Sequence, residues 1–600
     1  VRQIPLAIAL LLTLTAAALA QPPTTALVIV GGLTWQQVES GEIGGLYVLS
    51  RYGAAGLMSI GATGNSAATR FALTLQTGRR LALPREGTVE ALRRRYPNVR
   101  WLTEELTRAG VAVTLHVETS RQQVRALLAP SVSPPSPAAE LQIWWIAGEP
   151  SAISRALERA IGSLNPERDR VLIIGLPPAG ERLAPVIAAG GELRTGVLTS
   201  QTTRTEGLVS DIDLAPTVLQ WHDLPLCVGE HPMRVVSGEP LVTVKHLARL
   251  SRWNAQGLLP VGALQVGGGL LAVLAALRLI RQRRVPQRAG LVLSVAIGTL
   301  LSLPAGTLIA PYLPAGLFAQ YVAHVLLAAW GLSLLAHWGV WHEPFRAYVR
   351  ACALSVLVIL TDAVSGQHGV KSSMYSAYAL SGIRFYGVGN EMMGVLVGCA
   401  LVWGLFGLKA TWRASLWFIT ALVLATPAWG ANLGGLLTAA TGLGCAWEWS
   451  KRRKKPTLPR CASWLAMGIL AAVGILWIDS LSASPSHIGE AWLRWQAEGW
   501  AAVTETLLSK LALMTRVLLS PFAWGVLLAI GVALWAMGRS GTVTAWRNGW
   551  RGEYLPWLVC MGAAFVFNDS GFVPAAAILG VGVGALLTQK LQEVQHGSSA

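Results

Sequence analysis

The chain has 600 residues, 53% hydrophobic and 13% charged, with a formal charge of +17 and a mean hydropathy of +0.48. A charge fraction about half the usual ~25% excludes an ordinary soluble protein. The positive charge does not point to nucleic acid either: in the apolar half the basic residues sit mainly in short loops between apolar runs, the pattern of membrane topology. Composition therefore predicts a multi-pass membrane protein with one soluble portion.

Residues 1–20 carry the features of an export signal or an uncleaved anchor. Arg2 supplies a minimal basic start, residues 4–14 an apolar core, and residues 16–20 a small-x-small end before Gln21. Residues 21–255 then alternate β-rich runs with helical patterns. Buried strands are predicted at 25–30 (TALVIV), 111–116, 141–147 (LQIWWIA), 170–174 and 185–189. Helical spacing lies between them at 98–110, 120–128 and 151–164, and 131–138 (SVSPPSPA) is a loop. Strand–helix alternation argues for an α/β domain with a mostly parallel sheet. Of the six cysteines only Cys227 falls in this portion, so no disulfide can form within it.

The motifs VIVGGLTW (28–35), GAAGLMS (53–59), TLQTGRRL (74–81), RLAPVIAAG (182–190) and SDIDLAPTVLQWHDLP (210–225) follow in an order that resembles the alkaline-phosphatase superfamily. That resemblance implies an alkaline-phosphatase-like fold, and the departures from the family pattern are as informative. Where the family's first strand ends in a metal-binding Asp, this chain has Gly31 and Gly32; where a later strand ends in an Asp-His pair, it runs into Gly175-Leu176-Pro177-Pro178. The portion's histidines, His116, His222, His231 and His246, share no zinc-like spacing with carboxylates. Thr63, Ser66 and Thr69 occupy the neighbourhood of the family's nucleophile, yet an unactivated hydroxyl is inert. The expectation is a degenerate metal site, no bound metal, and a binding or scaffolding module, that is, a pseudoenzyme.

Residues 256–600 hold about eleven apolar runs long enough to span a bilayer, giving an all-α polytopic domain. The first is at 258–280, the fifth at 391–408, and the last two at 555–567 and 573–587. Loop charges, with the largest cluster at Lys451–Lys455, place the α/β domain outside the cell and the C-terminus in the cytoplasm. Polar residues at span ends then gather on the outer side. Asp362 closes the fourth span, Asn390 and Glu391 open the fifth, Asn432 sits in the turn between the sixth and seventh, and Asn568 and Asp569 lie between the tenth and eleventh. Arg384 is their nearest basic candidate.

A carboxylate at the mouth of a membrane helix is costly unless paired, hydrated or used. Asp362, Arg384, Asn390, Glu391, Asn432, Asn568 and Asp569 are therefore the substrate-binding candidates, and Asp362, Arg384, Asn390, Glu391 and Asp569 are expected to line one outward-facing cavity beneath the soluble domain, their carboxylates hydrated or paired with Arg384. Turn and cap chemistry is the competing account: Asn390 would be an N-cap, Glu391 would favour the helix's positive end, and NDSG is a good turn. The long outer loop at 480–521 has a helical, tryptophan-bearing pattern suited either to the membrane interface or to a packed hairpin.

No nucleotide-binding loop, haem ligand pair or zinc helix is visible in the sequence, so no cofactor is expected. The layout resembles bacterial envelope membrane proteins and, in outline, transferases that decorate lipid-linked glycans. Two readings follow. One is a bacterial inner-membrane protein that transports, flips or assembles a lipid-linked or envelope substrate. The other is a phospho- or glycosyl-group transferase acting on such substrates. The partner expected in either case is a membrane lipid or lipid-linked molecule.

Overall fold

The computed structural model describes residues 23–61, 67–81, 83, 88–97, 99–117, 122–128, 140–178, 181–227, 229–283, 285–376, 380, 384–452, 457–482, 485–539 and 554–597. The export segment, Thr63, Ser66, the 131–138 loop and Arg453–Lys455 lie outside these residues. The described chain divides into two compact units with the boundary between Arg249 and Leu250.

The first unit is built on one mixed, mostly parallel sheet. Its strands are β1 (Thr25–Gly31), β2 (Ala54–Ser59), β3 (Val113–Val117), β4 (Leu141–Ile146), β5 (Arg170–Leu176), β6 (Leu183–Gly190), β7 (Gly196–Thr199), β8 (Leu208–Ser210) and β9 (Arg234–Val236). They lie in the order β3-β4-β1-β5-β6-β2-β7-β9, with β8 paired to β2. β1 is parallel to both neighbours, Leu27 facing Ile143 on β4 and Leu172 on β5. Only β6 and β9 run against the rest. A strand covered on both faces needs apolar side chains pointing both ways, which is why TALVIV is a continuous run and is buried throughout.

Helices α1 (Ala67–Thr77), α2 (Pro150–Gly162) and α3 (Leu214–Trp221) belong to this unit. In its core Phe71 of α1 meets Trp145 of β4 edge-on at 6.1 Å, alongside Leu27, Ile29 and Val218. Each of the five expected strands is present. Four more were not anticipated, because β2 is Ala- and Gly-rich and β7 to β9 are only three or four residues long, so neither propensity nor alternation marks them.

The second unit is helical. Its helices are α4 (Pro240–Arg281, which begins in the first unit), α5 (Gln287–Ile309), α6 (Phe318–His337), α7 (Pro344–Val364), α8 (Asn390–Val402), α9 (Ala410–Ala425), α10 (Leu433–Arg452), α11 (Leu458–Ser480), α12 (His487–Glu498), α13 (Trp500–Leu518), α14 (Pro521–Arg539), α15 (Tyr554–Phe567) and α16 (Phe572–Gly597). Among the described residues eight helices are long and apolar enough to cross a membrane: α4 to α8, α11, α14 and α16. α9 and α15 are apolar but shorter, and α10 carries Glu448, Lys451 and Arg452.

The expected first span at 258–280 is the C-terminal part of a single 42-residue helix. No breaker lies at the expected boundary near 255, and Pro260 is accommodated inside the helix. The single helical pattern expected in the long loop is two helices, α12 and α13, parted at Gly499, whose φ of 62° is a left-handed value that suits glycine.

α8 lies at the centre of this unit. Every residue from Met392 to Val402 is buried, as expected of a helix that is apolar all round. It packs on α16 through Gly394 and Gly398, one turn apart. A Cβ at Gly394 would lie 2.7 Å from both Cα and O of Pro574, and one at Gly398 would lie 3.2 Å from Cβ of Val581. Small residues four apart let two backbones approach this closely, and dispersion contacts along the seam hold them.

Gly394→Ala is therefore expected to destabilise the detergent-solubilised protein by about 1–3 kcal/mol, the usual cost of overpacking. Gly531→Ala on α14, where a Cβ meets nothing within 4 Å, is expected to be neutral or to stabilise by up to about 1 kcal/mol, since alanine favours the helix. Thermal unfolding of the two variants side by side checks the difference.

Candidate functional site

The polar cluster forms where three helices begin. α8 starts at Asn390, α10 at Leu433 and α16 at Phe572, so three positive helix ends point at one region. Asn390 is not the N-cap. That position is Gly389, which makes no side-chain cap bond. Asn390 instead reaches across the helix seam, its Nδ2 donating to Oδ1 of Asp569 at 2.5 Å and to Oγ of Ser570 at 2.6 Å.

Asn432 is the capping residue. Its Oδ1 accepts from the Gly435 N–H at 2.7 Å, while its Nδ2 donates to the Val388 carbonyl at 2.8 Å. It stands 3.4 Å from Oδ1 of Asn390. These bonds tie Asn390, Asn432, Asp569 and Ser570 into one group.

Arg384 joins the group through backbone rather than through an ion pair. It donates to the carbonyls of Val388 at 3.2 Å and Ala431 at 2.6 Å. Of the two expectations for these carboxylates, hydration or pairing with Arg384, the second is not met: among the described residues Arg384 makes no salt bridge. Desolvation pulls its pKa below the usual guanidinium value, and the nearby Asp569 opposes that pull. It stays a cation throughout the working pH range.

Glu391 sits in the first turn of α8 as expected. Its Oε2 is buried with no hydrogen-bond partner among the described residues. Tyr375 lies close enough for that carboxylate to add to the rise that burial imposes on the phenol's pKa. The Tyr375 hydroxyl donates to Oε1 of Gln265 on α4 at 2.6 Å. Arg384, Asn390, Glu391, Asp569 and Ser570 are all half-buried.

Two candidates stand apart. Asp362 is spent locally: its carboxylate accepts from the N–H groups of Gly369 (2.7 Å) and Val370 (2.9 Å) and from the Tyr312 hydroxyl (3.1 Å). This is cap chemistry at the short helix His368–Ser372. Asn568 donates to Oγ1 of Thr438 and to the Ala564 carbonyl, bracing α15 against α10.

Gln367 connects Asp362's segment to the cluster. Its N–H donates to the Asp362 carbonyl, its Oε1 accepts from Gly387 at 2.5 Å, and its Nε2 donates to the Ala428 carbonyl at 2.6 Å. Gly387 has a φ of 89°, and a Cβ there would sit 2.4 Å from the Gly430 carbonyl oxygen, so the turn needs glycine. Sequence reasoning passed over Gln367 and Tyr375. The signal for the first was the turn-like SGQHG around it, where the structure gives Gln367 a φ of 62°; the second carried none.

In the α/β unit the carboxyl edge of the sheet is where ligands of parallel-sheet folds bind. At the ends of β1 and β5 stand Gly31-Gly32 and Pro177, and the Gly32 N–H is tied to the Leu176 carbonyl at 2.8 Å. The carboxylates that follow β8 are committed. Buried Asp211 pairs with Arg80, Nη2 to Oδ1 at 2.7 Å, and its Oδ2 accepts from Gly61 N–H at 2.9 Å. Arg80 also donates to the Ser59 carbonyl at 3.1 Å and to Oγ of Ser210 at 3.2 Å.

Asp213 accepts from Thr202 Oγ1 and the Ser210 N–H. Thr69 lies on α1, and His116 stacks on Trp144 at 3.9 Å. No cluster of three or more His, Cys, Asp or Glu side chains able to hold a metal ion occurs among the described residues. Neither a protein-family model, nor a curated protein, nor a solved structure matches the chain.

Burial pushes the Asp213 pKa up to about 6, Asp211 adding to the rise while hydrogen bonds from Thr202 and Ser210 oppose it. The folded state thus favours the protonated acid. Its contribution is full below the unfolded value of 3.8 and is lost as pH rises through about 6. Between pH 7 and 4.5 this group is expected to add about 2 kcal/mol to the stability of the α/β unit. Limited proteolysis of the full chain over that range checks it, and Asp213→Asn should remove the group's contribution to the pH dependence.

Proposed function

We propose that this chain is a multi-pass protein of the bacterial inner membrane, in which about eleven helices handle a lipid-linked or envelope substrate for transport, flipping or assembly. In this reading the N-terminal unit is an extracytoplasmic, alkaline-phosphatase-like binding module with a degenerate metal site. The loop charges support that orientation and a cytoplasmic C-terminus. The observation that carries the proposal is Glu391: a carboxylate with one oxygen unpartnered, among half-buried polar groups at the ends of three helices. Such a group is expensive in a membrane protein unless a ligand or a proton completes it. Arg384 adds a fixed positive charge, and Asn390, Asp569 and Ser570 add donors and acceptors within hydrogen-bond reach of one another.

The same observation keeps the transferase reading alive. A carboxylate with a free oxygen is suited to take a proton from an attacking hydroxyl, the role of a general base. In both readings the substrate is a membrane lipid or a lipid-linked molecule, and no metal step is required of the α/β unit.

Glu391→Gln keeps the side chain's shape and removes its charge. It is expected to reproduce the envelope phenotype of a gene deletion while the protein still inserts and accumulates normally. If Glu391 served only to favour the helix's positive end, the change would cost about 1 kcal/mol and leave function intact. A complementation assay with quantified membrane levels separates the two outcomes.

A further inference from the structure

At the other end of α7 from Asp362 the structure carries a second, separate feature. α6 ends at His337 and α7 begins at Pro344, and both are long and apolar enough to cross a membrane, so the short link at 338–343 lies at a membrane face. Between the two helices runs a groove of about 560 Å³, lined by Leu335, Ala336, Trp338, Arg350, Ala353 and Leu354. Its volume falls within the range that holds a sizeable organic ligand. Its walls are aliphatic and its rim is Trp338, the C-terminal cap of α6, which is 74% exposed.

Arg350 is the polar element. It stands six residues into α7, about 9 Å below the helix start. Its side chain turns back toward the boundary, where Nη1 donates to the Trp338 carbonyl at 2.7 Å. That is the snorkelling geometry of a cation anchored at headgroup depth. The neighbouring Arg346 is neutralised by Glu343, Nη1 to Oε1 at 3.2 Å. Arg350 makes no ion pair among the described residues, so the net charge at the groove's mouth is positive.

A shallow apolar groove beside an exposed tryptophan and a guanidinium without an ion-pair partner among the described residues suits an amphipathic anion. We propose that this groove binds an anionic phospholipid, with an acyl chain along Leu335, Ala353 and Leu354 and the phosphate on Arg350. A bidentate guanidinium–phosphate contact suits arginine better than lysine, and a basic pocket between membrane helices is a known means of selecting anionic headgroups. The site is independent of the Glu391 cluster, and its failure would leave that reading untouched.

Native mass spectrometry of the full-length protein in detergent tests it, with phosphatidylglycerol and phosphatidylcholine of matched acyl chains as probes. Phosphatidylglycerol adducts are expected to exceed phosphatidylcholine adducts by about fivefold, equivalent to the roughly 1 kcal/mol that one basic residue contributes at an anionic surface. Arg350→Gln should bring that ratio to about one, Arg350→Lys should leave it intermediate, and Arg346→Gln should not change it. Equal retention of the two lipids by the unmodified protein, or an unchanged ratio in Arg350→Gln, overturns the proposal. Should Arg350→Gln fail to fold, Ala353→Phe narrows the groove and leaves the guanidinium in place. It is expected to reduce phosphatidylglycerol adducts, and undiminished adducts would overturn the proposal equally.

Discussion

The contact on which the helical unit depends is the approach of α8 to α16 across Gly394 and Gly398. Gly394 has no room for a Cβ, because the Pro574 backbone fills the space opposite it, and at Gly398 a Cβ would crowd Val581 and Ile578. Because the two backbones meet within the first turns of both helices, their starting residues are held side by side. Asn390 then reaches Asp569 and Ser570, which lie about 180 positions further along the chain. Dispersion along an apolar seam thus positions a polar group that the seam itself could not hold by hydrogen bonding.

Most of the buried carboxylates discussed above are spent on local hydrogen bonds, and one is not. In the α/β unit the carboxylates beyond β8 are satisfied: Asp211 has Arg80 and a backbone N–H, and Asp213 has a hydroxyl and a backbone N–H. A fully paired group rigidifies a fold but has no free valence for chemistry. In the helical unit Asp362 is likewise consumed, by two N–H groups and a phenol. Among the described residues Glu391 alone of these acids keeps a buried oxygen without a partner, and that difference, rather than the presence of acids as such, sets it apart on physical grounds.

Much of this was legible in the sequence because it follows from periodicity and cost. The continuous apolar run TALVIV gave a buried strand, and the apolar run after Glu391 gave a span-length helix, whose burial on all sides appears only in the structure. What was not legible was pairing. The sequence places Asn390 beside Glu391 and offers a cap; only the seam with α16 turns its side chain toward Asp569 instead. Arg384 carries a charge that suggests a carboxylate, yet two strategically placed carbonyls, on Val388 and Ala431, take its hydrogen bonds. The short strands β7 to β9 and the Ala-rich β2 are held by their neighbours in the sheet and carry no local pattern of their own.

The central claim, that the starts of α8 and α16 are joined by Asn390 and the Asp569–Ser570 pair, is tested most directly by crosslinking. In a protein whose six native cysteines have been replaced by serine or alanine, Asn390→Cys and Ser570→Cys would be introduced together and the membranes treated with a mild oxidant. The contact of 2.6 Å between the native side chains brings the two positions within reach of one another, and the account predicts that an intramolecular disulfide forms between them. It should be seen as a fragment that stays attached after cleavage of the chain between the two sites and separates on reduction. Free thiols at both positions after oxidation, in protein that is folded and inserted, would contradict the account.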